Sequence, residues 1–456
     1  MLGSVGCNKF QDTNVNPAAT VTPKLANLLS NVEANIGGYA TSTTTGLFCQ
    51  YFSETQYNAA SLYASSSLLA SFSSNYYNYL MDLQDIINRD GGKNMNAVAK
   101  ILQAYIFWYV TDMWGDVPYS QALKGTTSLK PAFDTQETIY KGLIQQLTDA
   151  VGSFDATAPL ITGDFIYSGD ISSWKKMANS LRMMMALRLT KRYPAASDYA
   201  ATQFKAALAD GGGYMTANSE NFKVTYDGDK YKSPWYNLYD GRKDVGQSKT
   251  ITDMLAGYGD NRQTTMGSST QGVPYGLARV DAEAWATANP NWSRILAATL
   301  RPTGGVVTIV TASEVTLARA EAADRGWTTE DALNLYKQGI TLSFEQWGAG
   351  TPASTYFDQT GVAFTAATGT GANLKQIATQ RWLATYPDGV QGWSEWRRTG
   401  FPVLTPAVAA TNTSKLIPRR YTYATVEYNT NGDNVTAAAG RLEGGDTQDS
   451  KFWWDK

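Results

Sequence analysis

Apolar residues recur along this chain at spacings of three and four, and the segments that carry them come in pairs. Over residues 96–114, Val98, Leu102, Tyr105, Tyr109 and Met113 share one face of a helix. Gly115, Asp116 and Pro118 stop it. Over 134–154 the next stripe holds Tyr140, Leu143, Leu147, Val151 and Phe154, opened by Asp134 and Glu137 as a variant capping box. Ser172 or Ser173 starts a third helix with Trp174, Met177, Leu181, Met184 and Arg188 on one side and Pro194 at its end. A shorter helix over 198–210 stops at Gly211-Gly212-Gly213.

The pattern then breaks. Residues 214–310 are rich in Gly, Asp, Asn, Trp and Tyr and have no long helical period, although the β-branched run Val306–Val310 reads as a strand. Helices resume at Ser313 with Val315, Ala318 and Ala322, closed by Gly326. Thr328 and Asp331 open the next, which carries Leu333, Tyr336, Ile340, Phe344 and Trp347. Residues 373–399 supply Leu374, Ile377, Arg381 and Tyr386, then Val390, Trp393 and Trp396. From Pro402 the chain is loop-like, with short extended stretches expected over 421–428. Helix pairs of about 34–40 residues are the unit of tetratricopeptide-type solenoids. The expected organisation is a tether over 1–21, helix pairs over 22–213, a loop-rich insertion over 214–310, further pairs over 311–400 and a tail over 401–456.

Composition narrows the chemistry. The 456 residues are 43% apolar and 17% charged, with neutral polar groups filling the difference from the usual charged fraction of about 25%. Such a surface suits an extracellular setting. Net charge is -2 and no basic stripe is visible, which argues against nucleic-acid binding by phosphate neutralisation. There is no histidine, so Ser-His and Cys-His pairs and His-ligated metals are excluded. Carboxylate chemistry, a lysine or tyrosine base and an oxygen-ligated metal stay open. The two cysteines, Cys7 and Cys49, are too few for a metal cluster or a disulfide framework. Cys7 follows small and apolar residues that resemble the end of a lipoprotein signal, with Ser4 standing where Leu is preferred. No basic region or full apolar region precedes it, so the leader is read as truncated and Cys7 as the lipidation site.

Six segments in order resemble the SusD/RagB family, and most closely its SusD-like second subgroup. They are residues 99–123, which contain Trp114-Gly115-Asp116-Val117-Pro118-Tyr119, then 174–193, 316–326, 376–400, 417–431 and the terminal 445–456. The resemblance implies an all-α fold: a tetratricopeptide-like helix-pair solenoid of about four pairs, with a loop-rich insertion subdomain. It also implies an outer-membrane lipoprotein that captures oligosaccharide for a SusC-type TonB-dependent transporter. Most motif residues read as structural. Trp114, Asp116 and Pro118 end a helix, and Arg397-Arg398 and Arg419-Arg420 are expected to fix the tail against the helices.

Sugars offer apolar C–H faces and polar edges, which flat rings and guanidinium groups match. The chain has 13 Trp and 27 Tyr, but position matters more than number, because helical cores also use aromatics. Two clusters lie outside clear helix faces. One holds Tyr51, Tyr57 and Tyr63, near where the family's first ligand-contacting loop falls. The other holds Tyr226, Tyr231, Trp235, Tyr236 and Tyr239 with Asp240 and Arg242, extended by Tyr275, Trp285 and Trp292. The ligand set expected from them is Tyr57, Tyr63, Tyr231, Trp235, Tyr236, Tyr239, Arg242, Tyr275, Trp285 and Trp292, with a subset forming one exposed platform. No catalytic motif, cofactor motif or metal site is read. Asp227-Gly228-Asp229 suggests a cation loop but lacks the EF-hand pattern. Three alternatives stay open: a peptide-capturing member, a protein that holds only the transporter, and a helical toroid glycoside hydrolase. The last would use a carboxylate pair such as Asp112 with Asp116, or Asp240 with Asp244.

Overall fold

The computed structural model describes residues 22–365, 367 and 369–456; Cys7 and the expected tether lie outside them. The chain begins with helix α1 (Leu25–Ala40), which buries Leu28, Leu29, Val32 and Ile36. Helix α2 (Lys93–Trp114) is enclosed on nearly every side and forms the centre of the first half. Against it lies α3 (Gln136–Ser153), followed by α4 (Ile171–Arg188) and α5 (Tyr199–Leu208), each packed on the one before. The second half repeats the arrangement. Helix α6 (Ala312–Asp324) packs on α7 (Ala332–Gln346) and on α8 (Leu374–Thr385), and α8 packs on α9 (Gly389–Thr399). Contact between α4 and α6 joins the halves. Among the described residues the fold is thus all-α with four helix pairs, as the resemblance implied.

The caps differ in detail from the sequence reading. Helix α3 is capped by Thr135, whose hydroxyl accepts the Thr138 N–H, while Asp134 accepts the N–H groups of Tyr119 and Ser120 at 3.1 and 2.8 Å. Helix α4 is capped by Asp170, which accepts the N–H groups of both Ser172 and Ser173. The expected strand is present. Val306–Val310 (β4) pairs antiparallel with Phe222–Thr225 (β2), and Phe52–Glu54 (β1) pairs antiparallel with Val245–Gln247 (β3).

The extended stretch expected over 421–428 is only partly so. Thr425–Gly440 is a helix, α10, broken at Asn431. Its Thr, Asn and Gly content gives no apolar stripe to read. Side-chain bonds hold it instead: Asn431 Nδ2 donates to Pro131 O at 2.7 Å, and Arg441 donates to Asp116 Oδ2 and to Phe133 O.

Arginines seal the tail, as expected. Arg419 grips Asp455 with two bonds of 2.7 Å, and buried Arg420 donates to Trp114 O at 3.0 Å and pairs with Asp446. Arg397 lies 3.8 Å from the Trp393 ring and donates to Asp112 O at 2.9 Å. Arg398 has a different job. Its guanidinium makes two bonds to Glu321, of 2.7 and 2.6 Å, and two to Glu395, of 2.5 and 3.2 Å. Arg381 adds contacts of 3.4 and 3.5 Å to the same two carboxylates. All four groups are buried and link α6, α8 and α9. Burial acts to raise the Glu321 pKa, but the charges of Arg398 and Arg325 outweigh it and hold the carboxyl below its ordinary value. Removing one partner strands the others in a water-poor interior. Glu321→Ala is therefore expected to destabilise the protein by about 3–5 kcal/mol, measured by denaturant unfolding followed by circular dichroism.

Candidate functional site

The ribbon of β1 and β3 joins two segments that are remote in sequence. Phe52 stands opposite Gln247 and Glu54 opposite Val245. One step further, the Thr55 N–H donates to Asp244 O at 2.8 Å. Tyr57 leaves one end of this ribbon and Arg242 enters it from the other chain segment, so the two meet. The loop between them is tightly held. Ser61 donates to Glu54 Oε2 through its N–H and its hydroxyl, at 2.9 and 2.7 Å, and Asn58 Nδ2 donates to Leu277 O at 2.6 Å. Burial raises the Glu54 pKa, and the Ser61 bonds oppose that shift. Within this frame Tyr57 adopts a left-handed backbone with φ of 54°, which costs a non-glycine residue roughly 1–2 kcal/mol.

That strained position presents the ring outward. Tyr57 is 56% exposed, and its carbonyl accepts the Ala59 N–H at 2.9 Å. Arg242 lies 5.3 Å and Arg279 5.0 Å from its ring centroid. Arg279 opens the helix Arg279–Ala288 and pairs with Glu283 at 2.7 Å; Trp285 is half-buried on the same helix. Arg242 pairs with Asp244. The result is one fixed aromatic face between two guanidinium groups. Such a face can stack on an apolar ring surface while the guanidiniums donate to hydroxyls or carboxylates at its edge. Arg279 was absent from the sequence-based set. Its spacing from Glu283 and Trp285 on a helix was legible, but the approach of that helix to Tyr57 was not.

The single exposed platform expected from the sequence is smaller than that. Tyr63 is fully buried, its hydroxyl accepting the Ala407 N–H at 3.0 Å. Tyr275 donates to Leu47 O at 2.8 Å and lies against the Tyr63 hydroxyl. The adjacent Gly276 has φ of 69°, and a Cβ there would fall 2.5 Å from Ala407 Cα, so this floor tolerates only glycine. Trp235, 2% exposed, meets Phe52 edge-on at 6.2 Å. Trp292 is buried beneath Arg294. These rings support the site from within because the insertion must bury apolar area of its own to hold its loops. Tyr239 is half-buried and spends its hydroxyl on Val245 O and the Ile295 N–H. Tyr236 is half-buried under Lys232. Tyr231 lines a separate groove of about 680 Å³ with Phe165, Tyr226 and Asn31. In the first cluster, Tyr51 is also core.

Of the candidate carboxylate pairs, Asp112 with Asp116 is engaged elsewhere, whereas Asp240 is exposed and Asp244 pairs with Arg242. Asp112 is buried, bonded to Tyr140 and, at 3.0 Å, to Trp454 Nε1, while Asp116 accepts the Gln136 N–H at 2.8 Å and holds Arg441. Asp227 Oδ1 accepts the N–H groups of Asp229 and Tyr231 and so closes its own loop. Among the described residues no helix is long and apolar enough to cross a membrane.

Sequence and fold comparisons agree on the kinship. A family model described as SusD-like, starch-binding and associating with the outer membrane matches residues 8–424. This chain belongs to the SusD-like family. A chitin-binding protein shares 28% identity and a TM-score of 0.81, over 95% of this chain and 100% of its own. A chitin-binding SusD homolog from Flavobacterium johnsoniae shares 25% identity and a TM-score of 0.82, over 95% and 98%. A SusD-like protein from Bacteroides thetaiotaomicron, at 24% identity and a TM-score of 0.82 over 94% and 98%, has the same fold. No curated protein sequence matches the chain. Within this SusD-like fold, the exposed and buried rings should separate on mutation. Trp235→Ala is expected to cost about 3–5 kcal/mol of stability. Tyr57→Ala is expected to stay within about 0.5 kcal/mol of the parent in the same unfolding assay.

Proposed function

We propose that this protein captures glycan at the outer-membrane surface and delivers it to a SusC-type TonB-dependent transporter. The observation that carries the reading is Tyr57: an exposed ring in a strained, tightly bonded loop, between Arg242 and Arg279. A rigid ring loses little conformational entropy when a sugar stacks on it, and arginine can then grip neighbouring hydroxyls with two parallel donors. The family description names starch, and two structural relatives are named for chitin, so linear oligosaccharides of both kinds are the first ligands to try. Lipidation at Cys7 would hold the protein at the membrane, and the helix pairs offer the transporter a broad docking surface. The role is capture without turnover.

Isothermal titration with chitin and starch oligosaccharides, and with unrelated peptides in parallel, tests the proposal. One oligosaccharide series is expected to bind. Tyr57→Ala and Arg242→Ala should each weaken it about tenfold or more, with unchanged melting behaviour. Undiminished affinity in both variants would remove this face as the site. Peptide binding without glycan binding would favour the peptide-capturing alternative, and release of shorter sugars by the purified protein would favour the hydrolase. For the anchor, Cys7→Ala in the protein expressed behind a lipoprotein leader should abolish the incorporation of labelled fatty acid seen in the parent.

A further inference from the structure

A second concavity, open to the surface beside Lys223, Val306 and Glu345, lies away from the Tyr57 loop. It has a volume of about 490 Å³, within the range of small-molecule pockets. The β2–β4 ribbon of the insertion closes it against the start of α6, the end of α7 and the turn between α8 and α9. Trp235, Trp347 and Tyr386 contribute aromatic walls, and Glu314 and Asp388 contribute carboxyl groups. This explains the depth of Trp235, whose ring is buried among neighbours and still lines a space.

The two carboxyls sit at helix starts. Glu314 Oε2 accepts the N–H and hydroxyl of Thr311, and Asp388 Oδ1 accepts the N–H groups of Val390 and Gln391. Capping accounts for these oxygens and for no others. Asp388 is 4% exposed, yet its Oδ2 has no hydrogen-bond partner. The same holds for Gln346 Oε1 and for Trp347 Nε1, both on residues lining the cavity. A buried, unpartnered carboxylate oxygen is costly, and a cavity beside it is where a partner would be placed.

Charge arithmetic indicates the kind of partner. Each helix start supplies roughly half a positive charge, so two starts offset about one of the two carboxylates. Among the described residues no arginine or lysine makes a salt bridge to either group. Arg381 is engaged with Glu321 and Glu395, and Arg188 with Asp112 and Gln391. Lys223 and Glu345 also line the cavity but are exposed. The charges of Arg381 and Arg188 act on Glu314 and Asp388 from beyond salt-bridge distance, so among the described residues no cation is in contact with either carboxyl. A metal ion prefers about six or more oxygens and gains nothing from indole walls, whereas an organic ammonium suits both carboxylates and aromatic faces.

We propose that this cavity binds a small organic ammonium compound, such as an amine-bearing sugar, at a site separate from the outer aromatic face. The ammonium donates to Asp388 and Glu314, its body lies against Trp347, Trp235 and Tyr386, and the Trp347 indole N–H is left to donate to a ligand oxygen. Without the ligand, a proton takes the place of the cation. Burial, then the neighbouring Asp388 charge, raises Glu314 to about 8; burial raises Asp388 to about 7 against the bonds from Gln391 and Val390. Both values lie above those of the unfolded chain. The neutral forms thus favour folding at low pH, and that contribution is lost as pH rises through about 7 and 8. A bound ammonium should reverse the loss and release protons on binding.

Titration calorimetry at about pH 7, in buffers of different ionisation enthalpy, tests this with methylammonium chloride and glucosamine hydrochloride against glucose and potassium chloride. One or both amines are expected to bind with proton release, and methylammonium should bind more tightly at about pH 8.5 than at about pH 6. Asp388→Asn and Glu314→Gln keep the caps, because Asn and Gln serve there equally well, but each should weaken the amine about tenfold or more. Tyr57→Ala should leave amine binding unchanged while lowering oligosaccharide affinity, which separates this site from the outer one. Failure of both amines to bind, equal binding of glucose, or saturation by potassium chloride alone would overturn the proposal.

Discussion

Glu321 faces Arg398, Arg325 and Arg381, and Glu395 completes a cluster in which Glu321, Glu395, Arg381 and Arg398 are buried. Such charges are tolerable only when every partner is in place. The requirement reaches far, because Glu321 belongs to α6, Arg381 to α8, and Arg398 and Glu395 to α9. Arg398 also donates to Thr190, just past α4, at 3.1 Å. One ionic cluster thus sets the mutual positions of the two C-terminal helix pairs and their register against the first half. The Glu314 helix start and the Asp388 turn belong to the same pairs, so the geometry of the inner cavity follows from it.

The outer face depends on this frame in a different way. It sits where the insertion meets the Tyr57 loop, on short strands whose loops carry the chemistry. Tyr57, Arg242 and Arg279 come from three separate segments. They meet because β1 pairs with β3 and because Asn58 bonds to Leu277 O beside the Arg279 helix. The buried aromatics Tyr63, Trp235, Tyr275 and Trp292 hold those segments down on the helices. Placing binding residues on loops over a rigid helical support lets the loops vary without loss of the core.

The helices of the pairs were legible because their apolar period is strong: Val98, Leu102, Tyr105 and Met113 all fall on buried positions of α2. Helix α10 was not, since it is held by Asn431 and Arg441 through bonds to distant backbone and acidic groups rather than by a stripe. The aromatic clusters were legible as clusters. Whether a given ring faced water or the core was not, because Trp235 and Tyr57 both lie in polar segments without helical period, and nothing local distinguishes them.

By itself the sequence determined the all-α class, the approximate sites of the helix pairs, the exclusion of histidine chemistry and the family kinship. Each is a local or compositional property, carried by period, residue type or motif order. Tertiary structure alone decided which tyrosine became the exposed face, that Arg279 joined Arg242 beside it, and that Glu314 and Asp388 came to share one cavity. Those outcomes depend on contacts between segments far apart in the chain, and on the burial that removes water from them. Neither is written in the neighbours of a residue along the sequence.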